Sequence, residues 1–314
     1  MDDDRVIHED VPAALAGKRL DRIVAFLLDV SRSVAVTVIA AGGVEVDGET
    51  AASGKVRLAE GQAVAVDPAT VPVAGPPVAE AGVEFAVVFE DDDLIVVDKP
   101  AGLVVHPGAG HQTGTLVNGL LARYPEIEDV GERERPGIVH RLDAGSSGLL
   151  VDARNQSAAD ALIDQFADHE ATRVYLALVW GHPAAPHGVI DAPIGRSRRD
   201  PLRMAVVADG RWARTEYRVL RRFDSPAELA LLECRLETGR THQIRVHLSS
   251  INHPLVGDPV YGQRRPKLQV ERPFLHAAEL AVEHPTSGER MTFESPLAGD
   301  LAARLATLRE VVED

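Results

Sequence analysis

The chain has 314 residues, 45% hydrophobic and 26% charged, the composition of an ordinary globular protein of about two domains with a sizeable core. Its one cysteine, Cys234, excludes an intrachain disulfide and a cysteine-based zinc site and points to an intracellular, cytoplasmic setting. No apolar run reaches the ~18 residues of a membrane span, and the acidic start Met1-Asp2-Asp3-Asp4 lacks the apolar stretch of a signal peptide. The net charge of −15 opposes a nucleic-acid partner until its distribution is read: residues 131–265 hold 19 basic residues, all Arg, against 17 acidic ones, whereas residues 1–130 hold 9 against 22.

Residues 1–70 read as a small α/β module. Leu20, Ile23, Val24, Leu27 and Leu28 fall at helical spacing, with Asp21 as an early acidic residue. Ser31 or Ser33 caps a second helix that Gly42 and Gly43 end. Val44 and Val46 then alternate into the hairpin signal Asp47-Gly48, and Leu58 through Val66 reads as a strand pair broken at Glu60-Gly61. The order helix, helix, hairpin, with Arg19-Leu20-Asp21, Ser31-Arg32-Ser33 and Gly42-Gly43-Val44-Glu45-Val46-Asp47-Gly48, resembles the S4 RNA-binding domain. It departs from that pattern in carrying Arg32 nearly alone on the second helix, which implies weak RNA binding by the module.

Residues 71–82 lie in a Pro/Ala/Gly-rich stretch that reads as an extended linker. Residues 83–314 form the second domain. Val83–Phe89 and Leu94–Val97 are strands separated by the turn Glu90-Asp91-Asp92-Asp93. Thr115 caps a helix through Tyr124; Asn155 or Ser157 caps another, with Leu162, Ile163 and Phe166 on its buried face. Val174–Trp180, Trp212–Leu220 and Leu229–Leu236 are strands, so the expected class is α+β with a mixed, largely antiparallel central sheet. Ile244, Leu248 and Ile251 anchor a further helix that starts at Gly239 or Thr241 and ends at Asn252 in a left-handed conformation.

Two segments carry the chemistry. In His140-Arg141-Leu142-Asp143-Ala144-Gly145-Ser146-Ser147-Gly148-Leu149-Leu150-Val151, a Gly/Ser turn before an apolar strand fixes one carboxylate beside a cation. Thr238-Gly239-Arg240-Thr241-His242-Gln243-Ile244-Arg245-Val246-His247-Leu248 supplies a second cation at the edge of a core-facing helix. A buried carboxylate keeps its charge only with such a partner or with several donors. Together the two segments resemble the signature of the Rlu-type pseudouridine synthases, and Asp98-Lys99-Pro100-Ala101-Gly102-Leu103-Val104-Val105-His106-Pro107 and His253-Pro254-Leu255-Val256-Gly257-Asp258-Pro259-Val260-Tyr261-Gly262 extend the likeness across residues 83–300.

The resemblance implies an enzyme that isomerises uridines of structured RNA, with 23S rRNA of the large ribosomal subunit as the favoured substrate and with neither cofactor nor metal. It implies Asp143 as nucleophile, Arg245 as its partner, and Tyr175 against the flipped base with a phenol that helps remove the C5 proton. Arg141 would fill the vacated stack, Leu275 would wall the uracil pocket, and His140 and Arg240 would contact substrate. RNA is thus the expected partner of a monomeric chain, with no membrane. A synthase acting on tRNA shares these residues, and a non-catalytic RNA-binding or ribosome-assembly factor could share the scaffold. His242 and His247 lack the spacing and intervening carboxylate of a zinc motif, so hydrogen-bonding roles are expected for them.

Overall fold

The computed structural model describes residues 6–28, 30, 32–71, 75–108, 112–197, 200, 203–262, 268 and 270–311. The chain divides into two compact units: residues 1–77 with 107–113 and 196–203, and residues 78–106 with 114–195 and 204–314. Among the described residues no single helix is long and apolar enough to cross a membrane.

The first unit contains β1 (Ile7–Asp10), α1 (Leu20–Leu27), α2 (Arg32–Ala40), β2 (Val44–Val46), β3 (Glu49–Thr50) and β4 (Ala63–Val66), with the sheet order β1-β4-β2-β3. Leu20, Ile23 and Val24 of α1 pack with Val38 and Ile39 of α2 and with Val44, Val64 and Val66 of the sheet. Asp47 and Gly48 take the positive φ values, 52° and 82°, of a tight hairpin turn. Two expectations change. Leu58 lies outside any strand and exchanges hydrogen bonds with the loop before α1, while β4 pairs instead with β1, whose exposed Glu9 and Asp10 hide its pattern. Ser33 lies inside α2 rather than at its cap, and Ser31 falls outside the described residues. Asp21 is buried, ion-paired with Arg19 at 2.6 Å and Arg32 at 3.1 Å. Burial pushes its carboxyl up, but the two guanidinium groups outweigh that and hold it below the usual range.

The second unit opens with β5 (Ala86–Glu90), β6 (Leu94–Lys99), α3 (Leu116–Arg123), β7 (Ser147–Ala153), α4 (Gln156–Ala167), β8 (Thr172–Trp180) and β9 (His187–Asp191). It continues with β10 (Ile194–Arg196), β11 (Met204–Val206), β12 (Arg214–Ser225), β13 (Leu229–Leu236) and α5 (Gln243–Ser250). The last elements are β14 (Leu275–Glu283), β15 (Arg290–Glu294), α6 (Gly299–Leu305) and β16 (Arg309–Glu310). Among the described residues the main sheet has ten strands in the order β16-β12-β13-β8-β14-β7-β6-β5, with β15 on β14 and β9 on β12. Only β14 with β7 is parallel, so the sheet is mixed and largely antiparallel and the class is α+β.

Local chemistry explains the helix starts. Thr115 and Asn118 cap α3 reciprocally, and Asn155 accepts the Ala158 N–H at 2.9 Å to cap α4. Ile163 departs from expectation: it is 46% exposed, and α4 buries Ala158, Ala159, Leu162 and Gln165 instead. Residues of the proline-rich stretch are tied to α3, with the Asn118 side chain donating to Val78 O and Glu80 N–H to Asn118 O, both at 2.8 Å; residues 72–74 fall outside the described set. Arg198 and Arg199, two of the 19 Arg of residues 131–265, also lie outside it.

Candidate active site

The turn between Asp143 and β7 is positioned by close backbone packing. Gly148, at φ 110°, lies so near β14 that a Cβ there would meet Ala277 O at 2.2 Å. Here β7 runs parallel to β14 through the pairs His276 with Ser147 and Ala277 with Gly148. The Ala144 carbonyl accepts the Gly102 N–H at 2.7 Å, and the Gly145 carbonyl accepts from Arg272 Nη1 at 3.2 Å. Asp143 is therefore presented from a turn whose carbonyls are already engaged, at the edge of the central strands.

The Thr238–Leu248 segment folds against it by an internal network. Gln243 Oε1 accepts from the Thr238 hydroxyl at 2.7 Å and the Arg240 N–H at 3.0 Å, while its amide donates to Arg214 O and Thr215 Oγ1. Helix α5 starts at neither Gly239 nor Thr241, because the residue preceding it is His242, held left-handed at φ 58°. Asn252, at φ 66°, lies just beyond its end. His247 is fully buried and spends both ring nitrogens, on Thr215 Oγ1 and Ala192 O.

Arg245 projects from α5 to two carboxylates. Its Nη1 donates to Asp143 Oδ2 at 3.0 Å, and its Nε and Nη2 grip Asp258 at 2.7 and 3.1 Å. Asp258 is wholly inaccessible at its side chain, whereas Asp143 retains 28% exposure. The two carboxylates thus differ: one is buried structure, the other faces an opening. Oδ1 of Asp258 also accepts the N–H groups of Val260 and Tyr261, at 2.8 and 3.0 Å. Burial pushes the Asp258 carboxyl up, but Arg245 and these amides reverse the effect and hold it below the usual range. Burial alone would lower Arg245; Asp258 and Asp143 instead raise it, so it stays a cation. Tyr261 lies 5.1 Å from the Arg245 guanidinium and hydrogen-bonds His242 Nδ1 at 2.9 Å.

A cavity of about 700 Å³ opens beside Asp143 and is lined by Tyr175, Leu275, Leu236, Arg141, Arg173 and Arg240, among others. All seven residues singled out in the sequence border it: Asp143, Arg245, Tyr175, Arg141, Leu275, His140 and Arg240. Tyr175 and Leu275 come from the neighbouring strands β8 and β14 and are 6% and 4% exposed. Arg141 is exposed and anchored by Thr241 Oγ1 at 2.8 Å. Arg240 donates from Nε to Trp212 O at 2.9 Å. His140 is already engaged: Nε2 accepts the Val151 N–H at 3.0 Å and the ring lies 4.4 Å from Phe166. Burial, with the nearby Arg173 charge, pushes His140 down to about 3, so this ring is a neutral part of the wall.

Residues 93–250 match the RNA pseudouridylate synthase family. The chain belongs to that family. A ribosomal large subunit pseudouridine synthase D of Nitrosomonas europaea is 45% identical to it over 99% of this chain and 90% of its own length. The uncharacterized RNA pseudouridine synthase YlyB of Bacillus subtilis is 43% identical over 84% of this chain and 87% of its own. In three dimensions, the human RNA pseudouridylate synthase domain containing 1 aligns with a TM-score of 0.58 and 28% identity, over 73% of this chain and 89% of that one.

In the synthase, the phenol of Tyr175 has a state the sequence does not reveal. Burial pushes it up to about 12, the Arg173 cation countering and the Asp143 charge adding to the rise. It therefore meets a substrate as a neutral ring and hydroxyl, not as a ready phenolate. Two further groups carry no sequence-level assignment although both stand in the matching stretches. Asp258 is one. The other is Lys99, fully buried, with Nζ donating to Pro100 O and Leu103 O at 2.9 and 2.8 Å and lying 3.4 Å from Ala144 O. Burial pulls it down to about 7, against the nearby Asp143 charge. A charged residue inside an apolar, Gly/Pro-rich run was the available signal for both.

Proposed function

We propose that the synthase isomerises uridine in large-subunit ribosomal RNA with Asp143 as its nucleophile, acting in the cytoplasm. The observation that carries the assignment is the asymmetric arrangement around Arg245: a cation fixed by one inaccessible carboxylate holds a second carboxylate toward a cavity. The substrate class rests on the relatives described as ribosomal large subunit pseudouridine synthases.

The reaction breaks the bond from C1′ to N1, turns the freed uracil, and joins C1′ to C5, so the base must leave the RNA stack first. Asp143 supplies the attacking oxygen, and Arg245 aims that carboxylate by donating to its Oδ2. Tyr175 and Leu275 give an apolar wall against which the base can turn without escaping. Arg141, exposed and pinned by Thr241, fills the space left in the stack. The C5 proton leaves once C1′ is joined to C5, and the Tyr175 hydroxyl in the cavity wall helps remove it.

The N-terminal unit fits an S4-like RNA-binding module with a small contribution to affinity. Arg32, the one cation of its second helix, is shared with buried Asp21, which leaves that face little charge for phosphate.

Tritium release from rRNA transcripts labelled at uridine C5 tests the function directly. Wild type should release tritium, and Asp143→Asn should not, while it keeps its fold and RNA affinity. Near-normal release by Asp143→Asn would remove this residue from the mechanism.

A further inference from the structure

Next to Arg211 and Arg240, which line the cavity, the chain carries an exposed ring that the isomerisation itself does not require. The large hydrophobic residues exposed among the described ones are aliphatic, except for Trp212, which is 42% exposed. Trp is enriched at contact surfaces, where its ring packs while its N–H stays hydrogen-bonded. Its Nε1–H is satisfied by Asp191 Oδ1 at 3.0 Å, and His169 packs edge-on at 5.3 Å, so the ring is held in place. The backbone beneath it is also fixed: Arg211 exchanges both hydrogen bonds with Ile194 at 2.9 Å, and a Cβ on Gly210 would lie 2.6 Å from Ile194.

Two cations adjoin the Trp212 backbone: Arg211 precedes it in the chain and Arg240 donates to its carbonyl. Among the described residues neither has an ion-pair partner. Burial first, and then the neighbouring Arg211 charge, hold Arg240 below its ordinary value. Two adjacent guanidinium groups without a carboxylate are unfavourable unless an anion joins them. Phosphate suits their planar donor sets.

We propose that Arg211, Trp212 and Arg240 form a subsite for a nucleotide of the substrate RNA next to the target uridine, its phosphate between the two guanidinium groups and its base stacked on the indole. The subsite rests on the reading of the enzyme as an RNA isomerase. It gives unpaired RNA a grip that tolerates any base, since every base has a face to stack.

The test measures tritium release kinetics on a full-length large-subunit rRNA transcript labelled at uridine C5. Trp212→Ala should raise KM roughly five- to hundredfold with little change in kcat, the range expected for one lost stacked base. Trp212→Phe, which keeps a ring, should recover most of that loss. Arg211→Ala should reduce the slope of log KM against log salt by about 0.7–0.9, the loss of one phosphate contact, whereas Trp212→Ala should leave the slope alone. Release by wild type with KM of Trp212→Ala within twofold overturns the subsite while leaving the isomerase intact. Equal losses in the Ala and Phe variants would assign the effect to the Asp191 hydrogen bond and overturn stacking. No release by wild type would remove the isomerase reading, and the subsite with it.

Discussion

Replacing Asp258 by Asn separates the residue that fixes Arg245 from Asp143, the proposed nucleophile. The substitution keeps the side chain's size but turns a bidentate acceptor into an amide whose NH2 faces a cation. Arg245, 7% exposed at its side chain, would then be a buried charge held only by the half-open Asp143. Breaking a buried ion pair by removing one partner costs about 3–5 kcal/mol. For a unit of this size, roughly 2–4 °C per kcal/mol gives a fall in Tm of about 6–20 °C. The pH dependence identifies the cause. Asp258 prefers its ionised form more strongly in the folded protein than in the unfolded chain. Its contribution is thus complete above the unfolded value of about 3.9 and is lost as pH falls through the depressed folded value. Wild type should lose stability below about pH 4, and Asp258→Asn should lack that part of the acid limb, having lost the stabilisation at all pH values. Calorimetry between pH 3 and 8 reads both effects, and tritium release at a permissive temperature should fall because Arg245 is no longer aimed. A variant with wild-type Tm and turnover would refute the view that Asp258 fixes Arg245.

Lys99 sits at about 7 against about 10.4 in an unfolded chain, so between these values the unfolded chain binds the extra proton and stability should rise with pH. Lys99→Met should flatten that rise by a few kcal/mol in denaturant melts from pH 7 to 10; parallel profiles would refute it. Arg272 donates to Gly145 O and Ser147 Oγ and pairs with the exposed Asp300. Arg272→Ala should therefore lower turnover by loosening the Asp143 turn and cost more stability than Asp300→Asn, whose exposed pair is worth no more than about 1 kcal/mol; equal effects would contradict this. Deleting residues 1–70 should weaken RNA affinity only a few-fold in filter binding, and a hundredfold loss would show a strong RNA site in that module.

Much of this site was legible because its residues stand in short segments whose neighbours constrain them. The Gly/Ser turn before β7 marked Asp143 as a presented carboxylate, and Gly148 is the position where β14 approaches most closely. The anchors Ile244 and Leu248 placed Arg245 at the core edge, and the structure adds the direction of its side chain. What stayed hidden depends on partners far along the chain. Nothing local says that Asp258 will be inaccessible, or that Lys99 will meet Leu103 O and Ala144 O. His140 shows the same limit: its commitment to the Val151 N–H is a cross-loop contact that no spacing encodes. In the first unit β1 escaped notice because three of its four side chains are exposed, and Leu58 looked like strand because its burial is indistinguishable in sequence from that of a strand residue.

The chain's charge of −15 also acquires a physical resolution. At physiological ionic strength charges are screened over about 8 Å, so acidic residues elsewhere matter less to RNA than the guanidinium groups at the cavity. Several of those are already engaged: Arg245 with Asp258 and Asp143, Arg135 with Glu132, and Arg173 through its donation to Glu237 O. Arg141, Arg211 and Arg240 have no ion-pair partner among the described residues, and all three border the opening. These three cations can thus attract phosphate at the cavity that Asp143 borders. A globally basic protein would bind RNA anywhere along its backbone; an acidic one with a local cationic rim favours RNA that enters the cavity, as the proposed attack by Asp143 requires.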